Sequence, residues 1–469
     1  MTSSVNTTEI ASLVHYRSTP TASCTFLFLA LLVFTLSRLN LDAANYLFPI
    51  NVILHIWVLY RLYKRRLLCH FDSIFVCLFP FYYLFSFLLS FHFSIAVLPE
   101  ALSSSREVFL YCFSMWLMSV AFFFLRPKRN WRNIRRDAQN LQARLAEERT
   151  SLFTLYALAL AISIFFLGKI QFLSMDQLAT LSRVELTSLV SQTGWFLKYV
   201  IIAYSWYIGS LILLQHRRSY TKAAILLLPV LVYWLSLISI GSRREIFFTV
   251  SAFAVLFFVR SDGRLSFKVF LFGTVAVIVL LLLGVFRSLD GTNTITFITN
   301  GLGEFLFPIS TLAYYFEHLQ HSSFGESFVQ AFYNFVPKDL IAEKPIPLAS
   351  RIAIEIAGNS DGPIMGYAFT PATEAYFNFG TIGVFIYPAL LSLFSFFAEE
   401  LAKGRFLLTM AILAQTINFQ RSDFPSFIFE ATAVSGSLFI CIFIARLEYL
   451  IVCKPSKLKS ANREEDVSI

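Results

Sequence analysis

The chain has 469 residues, 57% of them hydrophobic and only 14% charged, with a net charge of +9. That balance excludes an ordinary soluble domain. The excess of Lys and Arg sits mainly between apolar runs, where it orients membrane spans and gives no support to nucleic-acid binding.

Taken in order, apolar runs near the roughly 20 residues needed to cross a bilayer predict spans at 22–38, 44–61, 73–96, 107–125, 151–168, 195–214, 223–240, 244–259, 268–286, 372–398, 406–420 and 426–448. A polar stretch precedes the first of them. It has no small-residue cleavage site after a basic start, so the first span is read as retained. With twelve spans, the basic segments 61–66, 126–136, 216–218, 260–264, 403–405 and the tail from Lys454 all fall on one side. That side is cytoplasmic by the positive-inside rule, and both termini lie there. The expected fold is therefore an all-α polytopic membrane protein of about twelve transmembrane helices, with a long external loop containing short helices. It divides into an N-terminal membrane bundle of about nine spans (1–286), the external loop (287–370), a C-terminal bundle of about three spans (371–450) and a cytoplasmic tail (451–469).

Segment 128–149 is charged but places Trp131, Ile134, Ala138, Leu141 and Leu145 at helical spacing. It reads as an amphipathic helix on the inner membrane surface, or as a plain solvated connector.

The first constellation with chemical potential is GSRR at 241–244. Gly241 makes a tight external turn, and Ser242 with Glu245 has the spacing of a capping box. Arg243 and Arg244 then sit in the first turn of a helix, against its dipole and on the side poor in positive charge. An anionic partner such as a diphosphate accounts for both, since guanidinium forks match phosphate oxygens. The bland alternative is that both reach lipid phosphates.

Arg287 ends a span, where the dipole favours it. Residues 295–319 are apolar, but Glu304, Pro308, Glu317 and His318 interrupt them, which predicts a helix packed on protein at the outer face. Arg351 precedes Glu355 by one helical turn, the spacing of an ion pair.

At 366–388 the sequence reads GYAFTPATEAYFNFGTIGVFIYP. Thr370 is a plausible N-cap and Pro371 fits the first helical position. Thr370, Glu374, Asn378 and Thr381 recur at helical spacing, so one polar stripe is expected along a single span, facing protein or a wet cavity. The alternative for Glu374 is that it merely complements its helix dipole. Near the C-terminus, Arg421 and Asp423 occupy a tight external turn after a span whose Gln415 and Asn418 need shielding from lipid. No phosphate-binding Gly loop, H-E-x-x-H or G-x-S-x-G motif occurs. His318 and His321 lack a third ligand at useful spacing, so neither a metal nor another cofactor is expected. The six cysteines fall outside 287–370 and suggest no disulfide framework.

The helix TPATEAYFNFGTIG after a long external loop, together with the upstream GSRR, resembles the O-antigen polymerase (Wzy-type) family of oligosaccharide repeat unit polymerases. The resemblance covers about a third of the chain by motif and most of it by topology. It implies a GT-C-like membrane glycosyltransferase of the bacterial inner membrane, working without a nucleotide sugar or metal. The implied partners are undecaprenyl-diphosphate-linked oligosaccharide donor and acceptor, with a chain-length regulator membrane protein as a further candidate. On this reading Glu374, Arg243 and Arg421 are the catalytic candidates. Arg244, Arg287, Arg351, Tyr376, Asn378 and Asp423 are candidates for substrate binding. Two competing readings remain at this point, an O-antigen ligase using the same donor and a transporter of lipid-linked sugars. Against the latter, the candidate residues cluster at helix ends and not mid-membrane.

Overall fold

Hydrocarbon offers no partner to a backbone N–H or C=O, so an apolar run long enough to span must close its hydrogen bonds internally. The computed structural model follows this rule. It describes residues 20–39, 42–68, 70–128, 131–147, 152–171, 196–214, 220–239, 244–261, 271, 294–319, 322–336, 340, 346–357, 368–420 and 422–452. Among them, helices dominate and no strand occurs. In chain order they are α1 (Pro20–Leu39), α2 (Ala43–Lys64), α3 (Phe71–Phe87, prolonged by a π-turn to His92), α4 (Glu100–Ser103), α5 (Ser105–Leu125), α6 (Trp131–Glu147), α7 (Phe153–Gln171), α8 (Leu197–Leu214), α9 (Tyr220–Ser239) and α10 (Arg244–Arg260). There follow α11 (Thr294–His318), α12 (Glu326–Tyr333), α13 (Leu348–Ala357), α14 (Pro371–Phe379), α15 (Gly383–Leu401), α16 (Phe406–Phe419) and α17 (Phe424–Val452). Six helical stretches are long and apolar enough to cross a membrane, and several shorter apolar helices accompany them. The chain is a multi-pass membrane protein.

Helix ends meet in two sets, as alternating up-and-down spans require. At one end, Arg126 contacts Glu399 at 2.7 Å and Asp72 at 3.2 Å, and His70 contacts Glu399 at 2.9 Å. Lys128 also pairs with Asp72. The main-chain N–H of Gly404 donates to Asp137, and those of Phe153 and Thr154 donate to Glu448. This end carries the basic segments. The opposite end, called outer after the charge pattern, joins Arg106 to Asp42 at 2.6 Å, His318 to Glu100 at 3.2 Å and Ser104 to Glu317 at 2.8 Å.

Two large apolar cores fill the interior, and neither respects chain order. One combines α6–α10 with α16 and α17; the other combines α1–α5 with α11, α14 and α15 and takes in Phe419 and Phe427. A small third cluster gathers Tyr315, Leu348, Ile352, Phe369 and Phe377. α5 lies at the centre of the second core, buried on nearly every side. α2, by contrast, turns Tyr46, Ile50, Ile53, Ile56 and Tyr60 outward, as a lipid-facing helix does.

The structure corrects two sequence expectations. The segment 128–149 does form an amphipathic helix, α6, but Trp131, Ile134 and Ala138 are buried in protein and Trp131 meets Phe258 edge-on. Its apolar face is satisfied by the bundle, not by the membrane surface. More important for the site, 372–398 is not one straight helix. The Tyr387 hydroxyl lies 2.7 Å from the Glu374 carboxylate, although 13 residues of straight helix would separate them by about 20 Å. The cause is local. Gly380 takes φ +58, which ends α14, and a short 3-10 turn through Ile382 reverses the chain. Gly383 then sits so close to Ala375 that an added Cβ would lie 2.2 Å from its carbonyl oxygen. The spanning part is α15, and α14 lies beside its first turns.

Candidate functional site

The motif TPATEAYFNF forms α14, and its polar residues bind four other segments together. Thr370 caps the helix as its sequence position suggests, its hydroxyl accepting the Thr373 N–H at 3.0 Å. The Thr373 hydroxyl reaches the carbonyl of Pro308 at 3.3 Å and lies 3.2 Å from the Thr311 hydroxyl, which ties α14 to α11. Thr311 in turn donates to the carbonyl of Ala368. This accounts for the packing of α11 on protein, the arrangement expected from its interrupted apolar sequence.

One turn on, Glu374 is fully buried. Its Oε2 accepts two hydrogen bonds, from the Tyr387 hydroxyl at 2.7 Å and from the main-chain N–H of Phe424 at 2.8 Å. Its Oε1 is buried without a hydrogen-bond partner. Phe424 opens α17, so Glu374 completes the N-terminus of a helix other than its own, where the dipole favours a negative charge. Asp423, also fully buried, caps the same helix through the Ser426 N–H at 3.1 Å, while its other carboxylate oxygen is buried without a hydrogen-bond partner. Burial raises the Asp423 carboxyl above its ordinary range, against the pull of that donor. The two carboxylates are close enough to repel each other.

Asn378 completes the bracket. Its amide nitrogen donates to the Ser327 hydroxyl at 2.6 Å and to the carbonyl of Glu374 at 3.0 Å, and its oxygen accepts the Ser327 N–H at 3.3 Å. The N-terminus of α12 hangs from this one side chain. Thr381, expected on the same stripe, lies past the Gly380 break and is half-buried away from it.

The other candidates divide. Tyr376 is stacked on Phe316 with ring centroids 4.3 Å apart and meets Tyr111 edge-on, so its faces serve packing. Arg351 pairs with Glu355 at 3.1 Å, as its spacing suggests, and also reaches Glu326 at 3.5 Å with its guanidinium over Phe377. It therefore links α13 to α12 and α14. Arg243, Arg287 and Arg421 lie outside the described residues, as does the side chain of Arg244. Glu245, read as half of a capping box, lies 3.5 Å from Lys198 of α8. Lys198 was not singled out in the sequence, because a lysine at a span end is ordinary there.

Ser327 and Tyr387 also escaped the sequence reading. Ser327 stands 51 residues from its partner, and Tyr387 is brought back only by the Gly380 turn. Around the bracket, Asn418 donates to Glu430 at 2.6 Å, while the amides of Gln415 and Gln420 are fully buried without partners. The shielding from lipid expected for α16 is present. In this arrangement Glu374 has no surface open to a substrate. What it controls directly is the turn that leads into α17.

No protein-family model, curated protein or solved structure matches the chain.

Proposed function

We propose that the chain is a membrane glycosyltransferase of the O-antigen polymerase type, with about twelve spans, a GT-C-like bundle and both termini in the cytoplasm. It polymerises undecaprenyl-diphosphate-linked oligosaccharide repeat units into O-antigen or capsular polysaccharide at the outer face of the bacterial inner membrane. The observation that carries this reading is the hydrogen bond from the Phe424 N–H to Glu374. It unites the two external constellations that the sequence offers separately, TPATE and QRSD, at one end of the bundle.

In the proposed reaction an acceptor hydroxyl oxygen attacks the anomeric carbon of the donor sugar. The bond from that carbon to the diphosphate oxygen breaks, and undecaprenyl diphosphate departs. The leaving group is already stabilised, so the protein's task is to hold developing negative charge more than to supply a proton. Arg243, Arg244 and Arg421 serve that role, since a planar guanidinium grips two phosphate oxygens at once. Glu374 acts as a positioning residue: it fixes the main chain at Phe424, three residues beyond Arg421. The hydroxyl proton passes to a carboxylate or to water.

The test is the polysaccharide profile of a strain from which the gene has been deleted. A core bearing a single repeat unit is the expected result. Free polymer unattached to the core would identify a ligase, and repeat units trapped on the cytoplasmic side would identify a transporter.

A further inference from the structure

Most helices at a protein surface turn apolar side chains inward and polar ones outward. α12 follows that rule only in part. Its inward residues are Ser327, fully buried, Gln330 at 6% exposure, Ala331 and the half-buried Phe328. Its outward stripe is Val329, Phe332 and Tyr333, exposed by 54, 77 and 39%. Phe324 just before the helix is 88% exposed and Phe335 just after it is 47% exposed. No residue from 327 to 336 carries a charge.

Nor is this stripe a loosely placed loop. The Ser323 N–H donates to the carbonyl of Phe377 at 2.9 Å, and Ser327 is held at two points by Asn378. Between these anchors Phe324 is kept at φ +46, a backbone region that a bulky residue adopts only under constraint. The bracket thus pushes an aromatic ring out of the protein.

What covers the stripe follows from its position. Phe335 packs on Phe429 in the outer part of α17, and Phe328 packs on Phe424 at the start of that helix. α17 is among the helices long and apolar enough to cross a membrane. The apolar stripe therefore lies beside one end of a candidate span, whose own exposed apolar residues, Phe439, Ile440 and Phe443, lie further along it. We propose that Phe324–Phe335 is an interfacial element, seated in the hydrocarbon edge of the leaflet at this end of the bundle, with bilayer lipid as its partner. An aromatic face whose single charge, Glu326, is paired with Arg351 and whose Ser327 and Gln330 turn to protein suits that boundary. This inference does not depend on the polymerase reading.

The test uses the full chain in phosphatidylethanolamine and phosphatidylglycerol vesicles. Phe324→Cys, Val329→Cys and Phe332→Cys each carry a fluorophore, and Glu355→Cys on α13 is the water-facing reference. The signal of the unsubstituted protein, with its own cysteines, is subtracted. Monodispersity is checked first, and three positions are read so that one misfolded variant decides nothing. The expected result is quenching by lipids with a nitroxide near the headgroup at least threefold stronger at 324, 329 and 332 than at 355, with the order reversed for aqueous iodide. Iodide quenching equal to that of position 355 would overturn the proposal, because the stripe would then face water. Shielding from both quenchers would overturn it as well, because protein would cover the stripe.

Discussion

Glu374 and Phe424 stand 50 residues apart in sequence, and the carboxylate of the first accepts the main-chain N–H of the second at 2.8 Å. A buried carboxylate at that position does for α17 what a cap normally does from within the same helix. Replacing it separates two roles. Glu374→Ala strands the Phe424 N–H and the Tyr387 hydroxyl, each at about 1–3 kcal/mol. Glu374→Gln retains an accepting oxygen. We expect Ala to lower polymer output about a hundredfold and Gln about tenfold or less, read as chain-length distribution at matched protein levels. Equal losses from the two would mean that the negative charge itself takes part in the reaction.

The two glycines of the α14–α15 turn make unequal demands. At Gly383 an added Cβ would lie 2.2 Å from the Ala375 carbonyl oxygen and 2.8 Å from the Tyr111 hydroxyl, and main chain gives way poorly. At Gly380 there is open space, and only the positive φ resists. Gly380→Ala should therefore cost about 1–3 kcal/mol of strain. Gly383→Ala should be the worse of the two, and should unfold at the lower temperature in detergent. Comparable melting temperatures would show that α15 can slide away from α14.

At the opposite end, Lys128 is buried beside Asp72, Arg126, Glu399 and His70. Burial is the largest influence on its ammonium and lowers its pKa to about 8, from an ordinary 10.5. The unfolded chain then binds more protons between those values, so stability rises with pH across that window. Below pH 8 both states are charged, and a cost on the order of 3 kcal/mol is fully present. Denaturation of the wild type beside Lys128→Met should show the wild type gaining between pH 8 and 10.5, with a constant difference below. A flat difference throughout would place Lys128 in contact with water.

For Arg243, the proposed two-pronged grip on a diphosphate makes lysine a poor substitute despite its charge. Arg243→Lys should reduce polymer about tenfold or more, the loss of one charge-assisted hydrogen bond. Full-length polymer from Arg243→Ala would show that the residue only reaches lipid.

Orientation has its own measurement. Ser323→Cys should react with an impermeant thiol reagent on intact cells, and Ser456→Cys should not. The opposite labelling would invert the bundle and remove the site from the outer face.

Apolar helices were legible because lipid imposes one rule on the backbone. Among the described residues six stretches are long and apolar enough to cross, while the span read at 268–286 lies almost wholly outside those residues. The N-cap at Thr370 and the Arg351–Glu355 pair were legible for a similar reason: both depend on spacings of a few residues. What escaped notice depends on distance or on a single torsion. Period alone put Thr381 on the stripe, and one positive φ at Gly380 took it off. Asn378 announced a buried polar contact, but its partner Ser327 lies in a different segment with no pattern of its own. The bracket was half visible: its holder could be read, and what it holds could not.

The interleaving of the two cores constrains how this protein is made. Ser210 of α8 lies 3.7 Å from the sulfur of Met410, 200 residues further along the chain. At ordinary ribosome speeds of about 5–20 residues per second, α8 waits about 10–40 s for that partner after entering the membrane. During this interval its serines and its future contact face meet lipid or an insertion factor instead. Premature termination before Phe406 therefore leaves more than a missing tail. It leaves α8 in the bilayer without α16 and α17 to cover it, a species that membrane quality control can recognise by its exposed polar groups.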